Sequence, residues 1–241
     1  MRQHLNKGRK RGPKLVDRLF LRLSTGEQLD GLWVGAFTSK PEHILHRVRQ
    51  ALCLIKTHDQ RRYNRLIRDL KRVWVMSHYP IACFDARLSA CMLNAGYVVA
   101  ETTTPELLAS VIVHEATHAR LWGCGIGYEE ELRPRVEAAC LRRELAFSAK
   151  LPDGQQVRNR VLLALASCCN QVTLSNSALA KLRDGSIVEE MRRLGVSDWG
   201  VRLLWVSAKT VGPIIHPVLW ARRGLRIVMR MTKKRPATRQ S

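Results

Sequence analysis

Apolar positions recur along this chain at two spacings, and the switches between them mark out the elements. Residues 18–23 (Arg-Leu-Phe-Leu-Arg-Leu) alternate as a short strand does, residues 24–26 (Ser-Thr-Gly) read as a turn, and Leu32, Trp33 and Val34 make a second short strand. A hairpin-like element is the expectation. From residue 41 the period lengthens: Ile44, Leu45, Val48, Leu52 and Ile55 share a helical stripe through residues 41–57. Tyr63, Leu66, Ile67 and Leu70 share another through residues 60–71, whose opposite face carries Arg61, Arg62, Arg65 and Arg68. Residues 73–76 (Val-Trp-Val-Met) return to a strand pattern.

A further helix announces itself at Thr104-Pro105-Glu106, an N-cap hydroxyl followed by proline at the first helical position and an acid in the first turn. Leu107, Val111, His114, His118 and Trp122 then fall on one stripe, with Leu108, Ile112 and Ala119 beside it, and Gly123, Gly125 and Gly127 end the helix. A second helical pattern runs through residues 128–150 and stops at Leu-Pro-Asp-Gly, residues 151–154. Residues 156–183 are helical in pattern with a break near Asn176, and residues 187–194 form a shorter helix ending at Gly195.

The chemistry lies in residues 111–120, V-I-V-H-E-A-T-H-A-R. Residues four apart share a helix face, so His114 and His118 can aim their imidazoles at one metal ion, and Glu115 is set one step round, where a carboxylate reaches a metal-bound water as general base. The plain reading is two core histidines satisfied by neighbours. Against it stand the intervening Glu115, the well-started helix and the cost of burying unpaired imidazoles.

A catalytic zinc takes three protein ligands and keeps one position open, so a third ligand is expected downstream. Of Glu129, Glu130, Glu131, Glu137 and Glu144, the choice is Glu137, nineteen residues after His118 and surrounded by Val136, Ala138, Ala139, Leu141, Leu145 and Ala146. Glu129, Glu130 and Glu131 form a solvated acidic run at a helix start. Glu144, between Arg142 and Arg143, reads as a surface ion pair or as an outer partner of the site. Cys140, one turn from Glu137, is either near the metal or simply packed in the core.

The run His114-Glu115-Ala116-Thr117-His118 followed by Glu137 resembles the gluzincin branch of zinc metallopeptidases, particularly the small minigluzincins, over residues 72–150. The resemblance implies a zincin-like fold and a peptidase with one Zn2+ per chain, held by His114, His118 and Glu137, and Glu115 as base. It also implies a small sheet ahead of the catalytic helix whose edge strand binds substrate backbone, a place that residues 89–100 would fill. No residue matches clearly the histidine or tyrosine with which larger members steady the oxyanion; Tyr128 and Tyr97 are the candidates.

Composition widens the picture. Across 241 residues, 41 Lys+Arg against 20 Asp+Glu give a net charge of +21, which favours an anionic partner such as nucleic acid or a membrane surface, and equally keeps a protein soluble. Residues 1–14 read as a disordered basic arm without a signal-peptide core. Residues 201–220, with Trp199, Trp205 and Trp220 at hand, are apolar, but Arg202, Lys209, Pro213, His216 and Pro217 interrupt any membrane span. That segment either lies on a membrane surface with help from the basic residues 222–239, or folds back on the core ahead of a disordered tail. Cys53, Cys83, Cys91, Cys124, Cys140, Cys168 and Cys169 form no C-x-x-C pair and are odd in number, which points to reduced core cysteines of a cytoplasmic protein.

The expectation is therefore an α+β, zincin-like domain over residues 15–195, a small mixed sheet packed on an active-site helix and a glutamate-bearing second helix, with additional C-terminal helices. The arm (1–14) precedes it and an apolar, basic appendage (196–241) follows. The expected activity is zinc-dependent hydrolysis of a peptide or protein substrate. The competing reading is a basic nucleic-acid- or membrane-surface-binding protein whose metal is structural or absent.

Overall fold

Five strands, β1 (Thr25–Leu29), β2 (Leu32–Ala36), β3 (Arg72–Met76), β4 (Ala82–Asp85) and β5 (Ala90–Asn94), make one mixed sheet in the order β1-β2-β3-β5-β4. The structure is a computed structural model that describes residues 20–38, 41–77 and 80–168. The expectations for the basic arm, for most of residues 156–183, for helix 187–194 and for the C-terminal appendage lie outside the described residues.

The outer pairs β1–β2 and β4–β5 are antiparallel, whereas β2–β3 and β3–β5 are parallel. Parallel neighbours need a crossover, and α1 (Pro41–His58) with α2 (Gln60–Asp69) supplies the one between β2 and β3. After β5 come α3 (Ala95–Val99), α4 (Pro105–Gly123), α5 (Arg133–Ser148) and α6 (Gln155–Cys168). The fold is α+β. No described helix is long and apolar enough to cross a membrane.

One face of the sheet and the long helices share a core. Val34, Val73, Val75, Cys91 and Leu93 pack in one cluster with Val48, Leu52 and Ile55 of α1 and Leu108 and Ile112 of α4. Each fully buried aliphatic side chain of this kind contributes about 1.5–3 kcal/mol, which fixes the rotation of α4 about its axis. On the opposite face Trp74 is buried and donates from Nε1 to Ser24 Oγ at 3.0 Å, tying down the segment before β1.

Several expectations are corrected. Phe20 to Arg22 are helical, not extended, and Phe20 is buried against Phe37, with ring centroids 5.2 Å apart. Thr25 and Gly26 belong to β1 rather than to a turn. The hairpin instead turns at Asp30 (φ 50°) and Gly31 (φ 84°), the pair of left-handed residues that a tight two-residue turn demands. Gly26 and Gly35 face each other in β1 and β2, and the Trp33 ring covers both. Residues 89–100 do not make an edge strand. Only Ala90–Asn94 is extended, and it is an inner strand; Asn94 then caps α3, its Oδ1 accepting from the Tyr97 N–H at 3.0 Å. The edge falls to β4, because Asp85 Oδ1 accepts from the N–H groups of Arg87 (2.8 Å) and Leu88 (3.1 Å) and folds the chain straight back into β5.

The signals that start and end α4 hold. Thr104 Oγ1 accepts from the Leu107 N–H at 3.3 Å, Pro105 opens α4, and Gly125 takes a left-handed conformation (φ 81°) just past its end. The next helix starts later than expected, at Arg133, since residues 126–132 form a connecting loop in which Glu129, Glu130 and Glu131 are exposed. Cys91 and Cys140 are buried as expected, but Cys53 and Cys124 are exposed and therefore not core residues. Trp122, placed on the buried stripe by its spacing, is 47% exposed because it lies in the last turn of α4, past the part that the sheet and α1 cover.

Candidate metal centre

α4 and α5 pack against each other, and α5 in turn against α6. At the first of these contacts His114 and His118, one turn apart on α4, bring their Nε2 atoms to 3.0 Å. Glu137, in the second turn of α5, reaches both: its Oε2 is 3.2 Å from His114 Nε2 and its Oε1 is 3.5 Å from His118 Nε2. The two imidazoles and the carboxylate keep only 14–16% of their side-chain surface exposed, so the cluster opens to solvent on one side only.

The far side of His114 is buried and bonded. Its Nδ1 lies 2.6 Å from Glu144 Oε1, and a carboxylate can only accept, so Nδ1 carries a proton, while Nε2 faces Glu137 and His118. Glu144 is 1% exposed. The expectation of a surface ion pair is therefore corrected, and that of an outer partner is met, because the helical phase that puts Arg142 and Arg143 in solvent turns Glu144 inward. The Arg160 Nη2 group on α6 donates to Glu144 Oε2 and, at 2.8 Å, to Ser110 Oγ on α4. A polar chain, buried at Glu144 and Ser110 and partly exposed at Arg160, thus links three helices to one imidazole. Neither Arg160 nor Ser110 carried a sequence signal, since each owes its role to a contact made only after α4, α5 and α6 are packed.

Tyr128, in the loop before α5, donates its hydroxyl to Glu137 Oε1 and sets its ring edge-on to His118, with centroids 5.4 Å apart. The Arg133 guanidinium lies 4.9 Å from the centroid of that ring. Tyr97 is instead part of α3. Cys140, one turn beyond Glu137, is fully buried, and its Sγ together with the imidazole nitrogens of His114 and His118 lies within a 4.8 Å set.

Glu115 faces away from this cluster, toward β4. It is buried, and the backbone N–H of Phe84 on the edge strand donates to its carboxylate. Burial, and then the negative charge of Glu137 and Glu144, push its pKa up to about 7 against the pull of His114. Three carboxylates around two imidazoles make a pocket of negative potential. Burial disfavours a charged His114, yet the hydrogen bonds to Glu137 and Glu144 outweigh it and raise its pKa to about 10. His118, by contrast, is held low, at about 4, by burial and by the charge on His114. Burial works against the Glu137 charge, but the hydrogen bond and charge of His114 hold its pKa down at about 2.

The structure brings the side chains of His114, His118 and Glu137 together, whereas Glu115, one step round α4, is bonded to β4. No protein-family model, curated protein or solved structure matches the chain.

Proposed function

We propose that this protein is a zinc-dependent metallopeptidase of gluzincin type, with a zincin-like arrangement of sheet, catalytic helix and glutamate helix. The observation that carries the reading is the spacing of three donors: His114 Nε2, His118 Nε2 and the Glu137 carboxylate are separated by 3.0, 3.2 and 3.5 Å. Ligands on a tetrahedral zinc with bonds of 2.0–2.2 Å lie about 3.3 Å apart, so the donors fit the ion with small adjustments. When bound, zinc would polarise a scissile carbonyl and bring the pKa of water toward neutrality.

The remaining work falls to the chain's own groups. Glu115, adjacent to the donors but directed toward β4, is the proton acceptor: its carboxylate takes a proton from the attacking water and returns it to the leaving amine. The edge strand β4, which reaches Glu115 through the Phe84 N–H, is the place where an extended peptide would add to the sheet as a further strand. Tyr128 donates its hydroxyl to Glu137 and orients that carboxylate. Among the described residues Cys53, Cys91, Cys124 and Cys140 form no disulfide, which accords with a reducing, cytoplasmic setting.

The decisive experiment is Glu115→Gln. An amide cannot accept the proton, and this side chain is not among the donors. The variant is expected to keep zinc at wild-type stoichiometry while losing hydrolysis of a broad peptide library by a factor of 10² or more, as loss of a general base implies. Zinc retained with unchanged turnover would defeat the mechanism. A wild-type protein inert toward every peptide, with salt-sensitive binding to nucleic acid or anionic vesicles, would move the assignment to the polyanion-binding alternative.

A further inference from the structure

The metal pocket contains one group that hydrolysis does not need. Cys140 projects from α5 on the same side as Glu137, one turn further on, and is fully buried where α4 and α5 meet. Its Sγ and the His114 and His118 nitrogens lie within 4.8 Å of one another. Nitrogen and sulfur on one tetrahedral zinc stand about 3.6 Å apart, so each separation exceeds the ligating one by at most about 1.2 Å, a difference that a small rotation about χ1 covers. An ordinary core cysteine has apolar neighbours on all sides. This one faces two imidazoles and a carboxylate.

We propose that Cys140 is a fourth protein ligand, so that the metal is held in its resting state by His114, His118, Glu137 and the Cys140 sulfur. The inference rests on the metal site proposed above. In forming the bond the S–H gives its proton to solvent and the sulfur lone pair goes to the ion; no electron is transferred. Two consequences follow. A soft thiolate shifts the selectivity of the pocket toward zinc, cobalt and cadmium and away from magnesium, calcium and manganese. A four-coordinate ion with four protein ligands also has no open position, so water or a substrate oxygen must displace the sulfur in each turnover.

The test uses the full chain loaded with Co2+ alone. Wild type is expected to show the visible bands of a tetrahedral cobalt site together with an intense near-ultraviolet sulfur-to-cobalt charge-transfer band. Cys140→Ser and Cys140→Ala should lose the ultraviolet band and keep the visible ones, while Cys124→Ser, at an exposed cysteine, should keep both. In competition with a chromophoric chelator, Cys140→Ser should bind Zn2+ at least tenfold more weakly. Added azide should perturb the visible bands of Cys140→Ser but not those of wild type, because only the variant has a position to offer.

Visible bands without the sulfur band in wild type would overturn the Cys140 assignment and leave the His114, His118 and Glu137 site standing. A sulfur band that survives in both Cys140 variants would overturn it too, by pointing to another thiol. Azide-sensitive visible bands in a wild-type protein that keeps its sulfur band would refute the closed resting state. Failure to bind cobalt or zinc at all would overturn this inference and the underlying site together. The wild-type spectrum needs no variant, so misfolding of a Cys140 substitution cannot decide the outcome.

Discussion

Glu144 Oε1 lies 2.6 Å from His114 Nδ1, on the side of the ring away from Glu137 and His118. This contact fixes the tautomer and the tilt of the imidazole, and Arg160, itself bonded to Ser110, holds the carboxylate in place. Removing an outer carboxylate of this kind typically lowers metal affinity 10–100-fold.

The first prediction follows directly. Glu144→Ala should weaken Zn2+ binding by about 10–100-fold in a chelator-competition titration, although residue 144 never touches the ion. Glu144→Gln should lose less, since the amide oxygen still accepts from Nδ1. Wild-type affinity in Glu144→Ala would mean that His114 is oriented by packing alone.

Glu137 and Glu130 make a matched pair, one inside the cluster and one exposed in the preceding loop. Glu137→Gln removes a charged donor and should cut zinc binding sharply in the same titration. Glu130→Gln should leave it unchanged. Should the loss of Glu130 empty the site instead, the ligand set is wrong.

Asp59 joins the start of α2 to Lys150, two residues past the end of α5. Its carboxylate caps α2 by accepting from the Arg62 N–H at 3.1 Å, and it also meets Arg62 Nε at 3.0 Å and Lys150 Nζ at 2.9 Å. Burial opposes its charge, but the Lys150 and Arg62 bonds win and hold its pKa below the ordinary 3.8. A carboxylate whose folded pKa is depressed contributes fully above its unfolded pKa, and that contribution is lost as pH falls through the folded value. Asp59→Ala should therefore cost about 1–2 kcal/mol at neutral pH. In urea titrations the gap between variant and wild type should narrow below about pH 4; a gap that widens in acid would contradict the assignment.

Two glycines test the helix ends. A Cβ at Gly154, in the turn between α5 and α6, would stand 2.0 Å from the Ser148 carbonyl oxygen, a backbone atom with little freedom to yield, whereas one at Gly123, the last residue of α4, meets nothing within 4 Å. Gly154→Ala should destabilise the protein by about 1–3 kcal/mol, and Gly123→Ala should be neutral or stabilising by up to about 1 kcal/mol. Thermal melts of the two variants check the order.

The chain by itself determined the elements whose causes are local. The cap at Thr104, the proline at residue 105 and the period of the apolar positions act within a few residues, so α4 begins where its sequence says and His114 and His118 share a face. The five-residue strands β2 and β3 and the helices α1 and α2 were legible for the same reason. The position of Glu137 was half legible, since its apolar neighbours marked the inner side of a helix without saying what that helix faces.

Tertiary structure decided everything that depends on which element lies beside which. Strand order made β4 the edge and β5 an inner strand, because pairing is set by contacts between segments far apart in the chain, and alternation alone cannot rank them. Packing of α5 against α4 and α6 turned Glu144 from an apparent surface residue between two arginines into the buried partner of His114. The same packing brought Arg160 and Ser110 to it and placed the Cys140 sulfur beside the histidines. Those roles are properties of interhelical geometry, and hydrophobic periodicity gives the inward face of a helix but not the atom that will be found there.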